Sequence, residues 1–366
     1  MIPSPSSSLR AALATLAFSI SLNASAQSAE FVPGPFFEPG QPMFHTQSAV
    51  HPENFVVRGI LIPLPSGHAV LFDQELLRVA AIWSVPPGQP PISETTMAQI
   101  SYKRPRAKVF SEHPQPTGPL LLSSPMLPGV ALNETDLVTD PRPANREGDF
   151  GRGPLPASQA RFQSTTLAGS TVVLSYRVGE TLVREWFEAR KMGSNTFILR
   201  HFEVSPHQEP LRIALGRKND GALPTLSANL PAVTLQSLGG QRVAVVEPST
   251  DVQRFTLTIA TSDVSILPPP GDTPPPPAPV AARYWSETAT AAPQLAKVRQ
   301  NGWVLDHVPV PEDNPWRRRI RPADLAFLSA DEAAVVTYDG DVWKVSGLAA
   351  PSLAHLTWQR YASGLH

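Results

Sequence analysis

The chain contains no cysteine among its 366 residues. That excludes disulfide staples, thiolate metal sites, a cysteine nucleophile and a C-x-x-C-H haem attachment within this sequence. It carries almost no net charge: Lys and Arg number 30 against 31 Asp and Glu. A dedicated nucleic-acid binder normally shows a basic excess, so that class is set aside. Beyond the first residues no apolar run is long enough to span a bilayer. Long helical periodicity is also missing. Its absence goes with the most over-represented residue, proline, at 42 positions, because proline fixes φ and removes an N–H donor.

The first 27 residues read MIPSPSSSLRAALATLAFSISLNASAQ. Arg10, an apolar stretch over Ala11–Leu22 and the small residues Ala24 and Ala26 make the pattern of a cleaved export signal. The expected compartment is periplasmic or extracellular, with no membrane span after cleavage.

From Phe55 the sequence alternates in the manner of strands. Phe55 to Ile62 is nearly all apolar apart from Arg58, which fits a strand buried on both faces. Pro65-Ser66-Gly67 and the turn at Asp73-Gln74 separate it from two further strands. Trp83 to Arg161 is irregular and proline-studded, a decorated loop region with short strands. Then four strands are expected over Phe162–Leu167, Thr171–Val178, Thr181–Ala189 and Thr196–Val204, divided by Gly169, Gly179 and Gly193-Ser194-Asn195. Such spacing marks an antiparallel meander. Within it Leu174, Tyr176 and Val178 share one face, and Val173, Ser175 and Arg177 the other. Strands over Leu211–Leu215, Gln241–Val246 and Arg254–Ala260 complete an expected β sandwich.

The run SILPPPGDTPPPPAPVAAR (Ser265–Arg283) reads as a polyproline II spacer between domains. After it, four strand-like pieces occupy about forty residues, the size of one β-propeller blade. Asp339-Gly340 is a good hairpin turn pair. One blade cannot bury both faces by itself, so this segment is expected to lack packing partners. The fold class is therefore all-β: a lead-in at residues 27–54, an antiparallel sandwich at 55–264, a proline-rich linker at 265–283 and the start of a propeller at 284–366.

Asn314-Pro315-Trp316, Gly340-Asp341-Val342-Trp343 and Trp358-Gln359-Arg360-Tyr361-Ala362-Ser363-Gly364-Leu365 resemble a junction in large secreted bacterial proteins. There, a β-rich domain of unknown function precedes a propeller similar to sorbosone and glucose dehydrogenases. The upstream stretches FVVRGILIPL, HAVLFDQELLRVAAIW, GRGPLP and VREWFEAR are similar to that N-terminal domain. The resemblance implies that the propeller continues beyond His366, in many relatives into a haem module. Any quinone-dependent oxidoreductase chemistry would then lie outside this sequence.

A search for chemistry within the chain returns no catalytic, cofactor-binding or metal-binding residue. Arg317, Arg318, Arg319 and Arg321 form the densest charge cluster; an anion site is weighed against pairing with Asp313 and Asp324. Asp339, Asp341 and Glu332 lack the full calcium-loop series. Asp306, His307 and His201 lack partners at metal-ligand spacing. Gly151 and Gly153 make a G-x-G with no third glycine. Glu185 and Glu188 on one strand face opposite sides, which favours cross-strand salt links over a glycosidase pair. Trp83, Trp186 and Phe187 are weighed as a sugar-stacking platform against core packing. The expected role is a non-catalytic exported interaction or scaffold module. An oxidoreductase fragment and a carbohydrate-binding module are the alternatives. No cofactor is expected, and the partner classes are polysaccharide or another secreted protein.

Overall fold

The structure is a computed structural model, and it describes residues 40–51, 54–93, 113–144, 152–193, 195–218, 222, 224–260, 267, 271–280, 285–291, 299–300, 303–304, 307–338, 340–350, 353 and 355–363. The signal-like residues 1–26, Gly151, Asp306, Asp339 and Gly364–His366 lie outside the described residues. Among those described, strand dominates and the sheets are antiparallel, so the fold is all-β.

The chain opens with β1 (Phe44–His51), β2 (Asn54–Leu64), β3 (His68–Asp73) and β4 (Arg78–Ser84). The lead-in to Phe55 is thus more than extended chain, since β1 is the edge strand of a sheet and pairs with β2. Loop-borne β5 (Leu120–Ser123), β6 (Val130–Ala131) and the one-turn α1 (Glu134–Val138) follow. Asn133 caps that turn by accepting from the Asp136 amide at 2.9 Å. Next come β7 (Ala160–Ala168), β8 (Thr171–Val178), β9 (Thr181–Met192), β10 (Asn195–Val204), β11 (Leu211–Lys218), β12 (Leu226–Ala228), β13 (Val233–Leu238), β14 (Gln241–Val246) and β15 (Gln253–Ala260). Two short strands, β16 (Arg299–Gln300) and β17 (Trp303–Val304), pair with each other. The last four are β18 (Pro322–Phe327), β19 (Glu332–Thr337), β20 (Val342–Ser346) and β21 (Thr357–Ala362).

Two sheets make the sandwich. One runs β1-β2-β3-β4-β5-β11-β14-β13, with β6 beside β11; the other runs β12-β15-β10-β9-β8-β7. Their facing sides share one core: Ile60, Ile62, Val70, Phe72, Ile213 and Val246 meet Leu174, Tyr176, Val178, Ile198, Phe202 and Phe255. Phe72 on β3 sits 6.0 Å from the Tyr176 ring and 6.2 Å from Phe162, joining the sheets through aromatic contact. The alternation expected for β8 is the one observed. Strands β2 to β4 are buried on their other side too, where Leu61, Leu71, Ala81 and Trp83 form a second cluster. An apolar run such as GILI is the sequence mark of that double burial.

The β3–β4 turn is fixed by Asp73, whose Oδ1 accepts from the amides of Glu75 and Leu76. Gly129 packs onto this turn so closely that a Cβ would lie 2.3 Å from the Leu77 carbonyl oxygen, so only glycine fits.

Residues 271–280 do not behave as a free spacer. They lie along the outer face of the six-stranded sheet as a strap. At one end Thr273 Oγ1 is 2.7 Å from Thr256 Oγ1 on β15 and accepts from Asn229 Nδ2 at 2.9 Å. At the other the Val280 amide donates to the Leu167 carbonyl on β7 at 3.0 Å. Crossing from β15 to β7 takes four interstrand steps of ~4.8 Å, about 19 Å. A polyproline II segment from Thr273 to Val280 reaches about 22 Å. That length is enough for the crossing; the sheet decides where the segment lies.

The four-stranded sheet β18-β19-β20-β21 is an antiparallel meander. It has a packing partner after all on one face. Val335, Trp343, Val345 and Trp358 are covered by Val308, Trp316 and Ile320 from the segment leading into the sheet and by Leu356 from the β20–β21 loop. On the same face of edge strand β18, Leu325 and Phe327 stay 55% and 71% exposed.

Candidate functional site

Antiparallel register sets out the outer face of the six-stranded sheet in rows. One row reads Thr166, Val173, Trp186, His201, Thr256 across β7, β8, β9, β10 and β15. The neighbouring row reads Ser164, Ser175, Arg184, Glu203, Arg254. The strap's two anchors sit at the ends of the first row, so the second row lies alongside it. Between strap and sheet is a half-open cleft of about 400 Å³, walled by Pro275 to Pro279 and floored by Thr166, Val173, Ser175, Arg184, Glu203 and Arg254.

Glu203 is the hub of the floor. Its Oε1 accepts from Arg184 Nη1 at 2.6 Å, and its Oε2 accepts from Arg254 Nε and lies 2.8 Å from Arg254 Nη2. The carboxylate is 11% exposed, whereas the two arginines are 45% and 46% exposed. Two positive charges thus flank one negative charge at the edge of solvent. With both its oxygens engaged by guanidinium N–H groups, Glu203 anchors the arginines in place.

The middle of the first row is sealed. Trp186 is 4% exposed and stacks on the His201 ring, centroids 5.4 Å apart. His201 Nδ1 lies 2.8 Å from Thr256 Oγ1 and Nε2 lies 3.4 Å from Glu188 Oε2. Burial holds the His201 imidazole below its ordinary pKa, partly countered by Glu188. His201 is a hydrogen-bonded structural histidine that links sheet to strap through Thr256 and Thr273.

On the inner face, Glu185 and Arg200 form a buried pair inside the sandwich. Arg200 Nε donates to Glu185 Oε1 at 2.8 Å, and Tyr176 Oη donates to Glu185 Oε2 at 2.9 Å. The Arg200 guanidinium lies 5.3 Å from the Phe202 ring centre, and its Nη1 reaches the Ala214 carbonyl of the opposite sheet at 3.4 Å. Burial, reinforced by Glu185, pushes the Tyr176 hydroxyl well above its ordinary pKa. Glu188 points outward to Arg190 and His201. The two glutamates do face opposite ways, each in a cross-strand or near-strand ion pair.

Charged side chains at the other sheet are likewise committed to structure. Arg78, fully buried, donates to Asp73, Asn54 and the Ser124 and Pro125 carbonyls; burial draws its pKa down and Asp73 pulls it back up. Glu75 is raised, chiefly by burial and then by Asp73, against Arg142 and Arg58. For Asp140 burial pushes upward, but hydrogen bonds from Arg142 outweigh it and the net shift is downward.

In the arginine cluster, Arg318 pairs with Asp341 rather than with Asp313 or Asp324. Its Nε donates to Oδ2 at 2.8 Å and its Nη2 to Oδ1 at 3.1 Å. Arg360 and Ser363 also reach Asp341, so this carboxylate is a buried hub of hydrogen bonds. Asn314 pins the turn, donating to the Pro311 and Arg318 carbonyls. His307 is exposed. No cluster of metal-ligand side chains occurs among the described residues.

The sugar-stacking platform is overturned on the residues proposed for it. Trp83 is fully buried with Nε1 donating to the Pro91 carbonyl at 2.8 Å, and Trp186 and Phe187 are buried as well. What the sequence did not single out is the row Arg184, Glu203, Arg254. These residues are far apart in the chain, and only register brings them together.

Residues 70–185 match the model of a family described as a domain of unknown function, DUF6797. The matched span runs from β3 into β9. It includes Arg78, Tyr176 and Glu185, together with Ser175 and Arg184 of the cleft. No curated protein and no solved structure matches the chain.

Proposed function

We propose that the chain is a non-catalytic, exported interaction module in which a sandwich presents the strap cleft as its recognition surface. The observation that carries this reading is the Arg184–Glu203–Arg254 row. It offers two half-exposed guanidinium groups, fixed by a shared carboxylate, to an open cleft. Preorganised cations of this kind recognise a ligand without needing a reactive group. The signal-like N-terminus supports export. In this reading residues 55–264 form the sandwich and 284–366 the opening of a propeller.

A second reading is favoured by the four-stranded sheet. Its meander and its exposed Leu325 and Phe327 suit a propeller blade that receives a neighbour. On that reading the chain is part of a quinone-dependent sugar or aldehyde dehydrogenase-like protein, with the reaction centre in further blades.

The test pairs binding with turnover on the same full chain. Affinity electrophoresis through gels containing neutral and acidic exported polysaccharides is run beside a dye-linked dehydrogenase assay with aldoses and a soluble quinone cofactor. Retardation without dye reduction is expected. Dye reduction above the enzyme-free blank would overturn the non-catalytic reading.

A further inference from the structure

We infer that the strap cleft is a binding site for a carboxylate-bearing sugar, a uronic acid residue held by Arg184 and Arg254. The inference rests on the interaction-module reading for its biological use, but the site is argued from its own geometry.

Charge comes first. Two guanidinium groups and one carboxylate leave one positive charge at the cleft floor. Arg184 uses only Nη1 on Glu203, and Arg254 uses Nε and Nη2. Among the described residues, Arg184 Nε and Nη2 and Arg254 Nη1 make no other bond. The two side chains are about half-exposed and line the cleft, and a guanidinium fork matches a planar carboxylate. Glu203 holds both side chains in one orientation, so little rotamer entropy remains to be lost on binding.

The rest of the cleft fits a hydroxylated ring better than a bare ion. About 400 Å³ is within the range of organic-ligand pockets, and a lone phosphate or acetate would leave most of it as water. Ser175 is buried, lines the cleft, and its hydroxyl has no partner among the described residues. Thr166 adds a second hydroxyl at the far edge. Facing them, the Pro275–Pro279 wall presents C–H faces and no backbone donor at its prolines. A sugar ring has the complementary pair of surfaces, a C–H face and a hydroxyl edge. The wall is fixed before any ligand arrives, because the strap is tied at Thr273 and at Val280. The cleft is partly open to solvent, so a chain of such residues can continue out of it. This site shares nothing with the aromatic platform on Trp83 and Trp186. It recognises charge and hydroxyls, and neither tryptophan lines it.

The test is isothermal titration calorimetry of the full chain with trigalacturonic acid, with its methyl ester, and with inorganic phosphate, at low and moderate salt. The expected result is saturable binding of the trimer, at least tenfold weaker for the ester, and weakened by salt. Phosphate should compete only at concentrations at least tenfold above the trimer. Arg254→Gln and Arg184→Gln should each lower trimer affinity about tenfold or more, and Ser175→Ala a few-fold, with thermal unfolding checked to show that each variant is folded. Equal affinity for trimer and ester, phosphate binding as tightly as the trimer, or no loss in either arginine variant would overturn the proposal. The two readings separate cleanly. If the trimer does not bind but the chain is still retarded by another polysaccharide, the cleft assignment falls and the interaction module stands. If the trimer binds and is cleaved or oxidised, the cleft stands and the non-catalytic reading falls.

Discussion

Removing Arg200 should unseat the middle of the sandwich. Glu185 is fully buried and accepts from Arg200 Nε at 2.8 Å and from Tyr176 Oη at 2.9 Å. In Arg200→Met the carboxylate keeps only the tyrosine, and loss of one partner from a buried pair costs about 3–5 kcal/mol. Taking a urea slope of ~3 kcal/mol per M, the midpoint falls by about 1–1.7 M. Glu185→Leu should cost a comparable amount, eased slightly by the contact of the orphaned guanidinium with Phe202 at 5.3 Å. The decisive variant combines Arg200→Met, Glu185→Leu and Tyr176→Phe. It removes all three polar groups together, and full apolar replacement of a buried charge pair is often neutral or stabilising. The triple variant should therefore lie within ~1.5 kcal/mol of wild type, far from the sum of the single effects. Urea titration can be followed through tryptophan emission, because Trp83 and Trp186 are both buried and their spectra shift on exposure to water. If the triple variant is less stable than either single variant, the network does more than satisfy its own charges. If Arg200→Met costs under ~1 kcal/mol, the account of the pair is wrong.

Two further predictions concern the strap and its underlay. Asn229→Ala removes the side chain that accepts from the Thr256 amide and donates to the Gly271 carbonyl and Thr273; in hydrogen–deuterium exchange, peptides over 271–280 and Trp186–His201 should lose protection, while the inner core around Phe202 should not. His201 sets a pH dependence whose sign follows from its lowered pKa. The unfolded state takes up the proton first as pH falls below about 6.5, so the stability present above that value is lost on acidification towards the folded pKa. Thermal unfolding at pH 7.5 and pH 5.5 should show a smaller difference for His201→Gln than for wild type, and an unchanged difference would remove His201 from the explanation.

Local pattern made much of the sandwich legible. Leu174, Tyr176 and Val178 alternate with Val173 and Ser175, and that period alone put the first three in the core. The near-continuous apolar run before Ile62 announced burial on both faces. Glu185 and Glu188, three apart on a strand, had to face opposite ways. Other features depended on register. Arg184, Glu203 and Arg254 meet only because β9, β10 and β15 pair without slippage from Val204–Gln253 to Phe197–Ala260. A one-residue slip would have turned Arg254 inward. Nor could the sequence say that Arg318 pairs with Asp341. Asp313 and Asp324 were nearer along the chain, but the hairpin carries Asp341 under the arginine. The short β12 and β13 went unseen, because β12 is only three residues long and Thr, Gln and Ser dilute the alternation of β13.

The strap shows how a segment that composition marks as a spacer can instead lie on a sheet. Consecutive prolines dictate polyproline II whether the segment crosses water or lies on a sheet. What binds it here is a hydroxyl and amide cluster, Thr256 and Asn229, contributed from residues upstream. The same chemistry explains why proline suits this position. An ordinary strand laid over a sheet face would bring amide donors with no acceptors beneath them. Pro274–Pro277 bring none, so they can lie over the sheet face without leaving a buried N–H unsatisfied. In a chain with no cysteine to staple its layers, that covering must be held by hydrogen bonds at its two ends. The cleft beside it inherits a rigid wall from an element whose first duty is to keep the sheet dry. Loosening the strap should therefore weaken ligand capture even where no cleft residue is altered: in Asn229→Ala the trigalacturonate affinity should fall while Arg184 and Arg254 remain in place. Unchanged affinity with a mobile strap would assign recognition to the arginines alone.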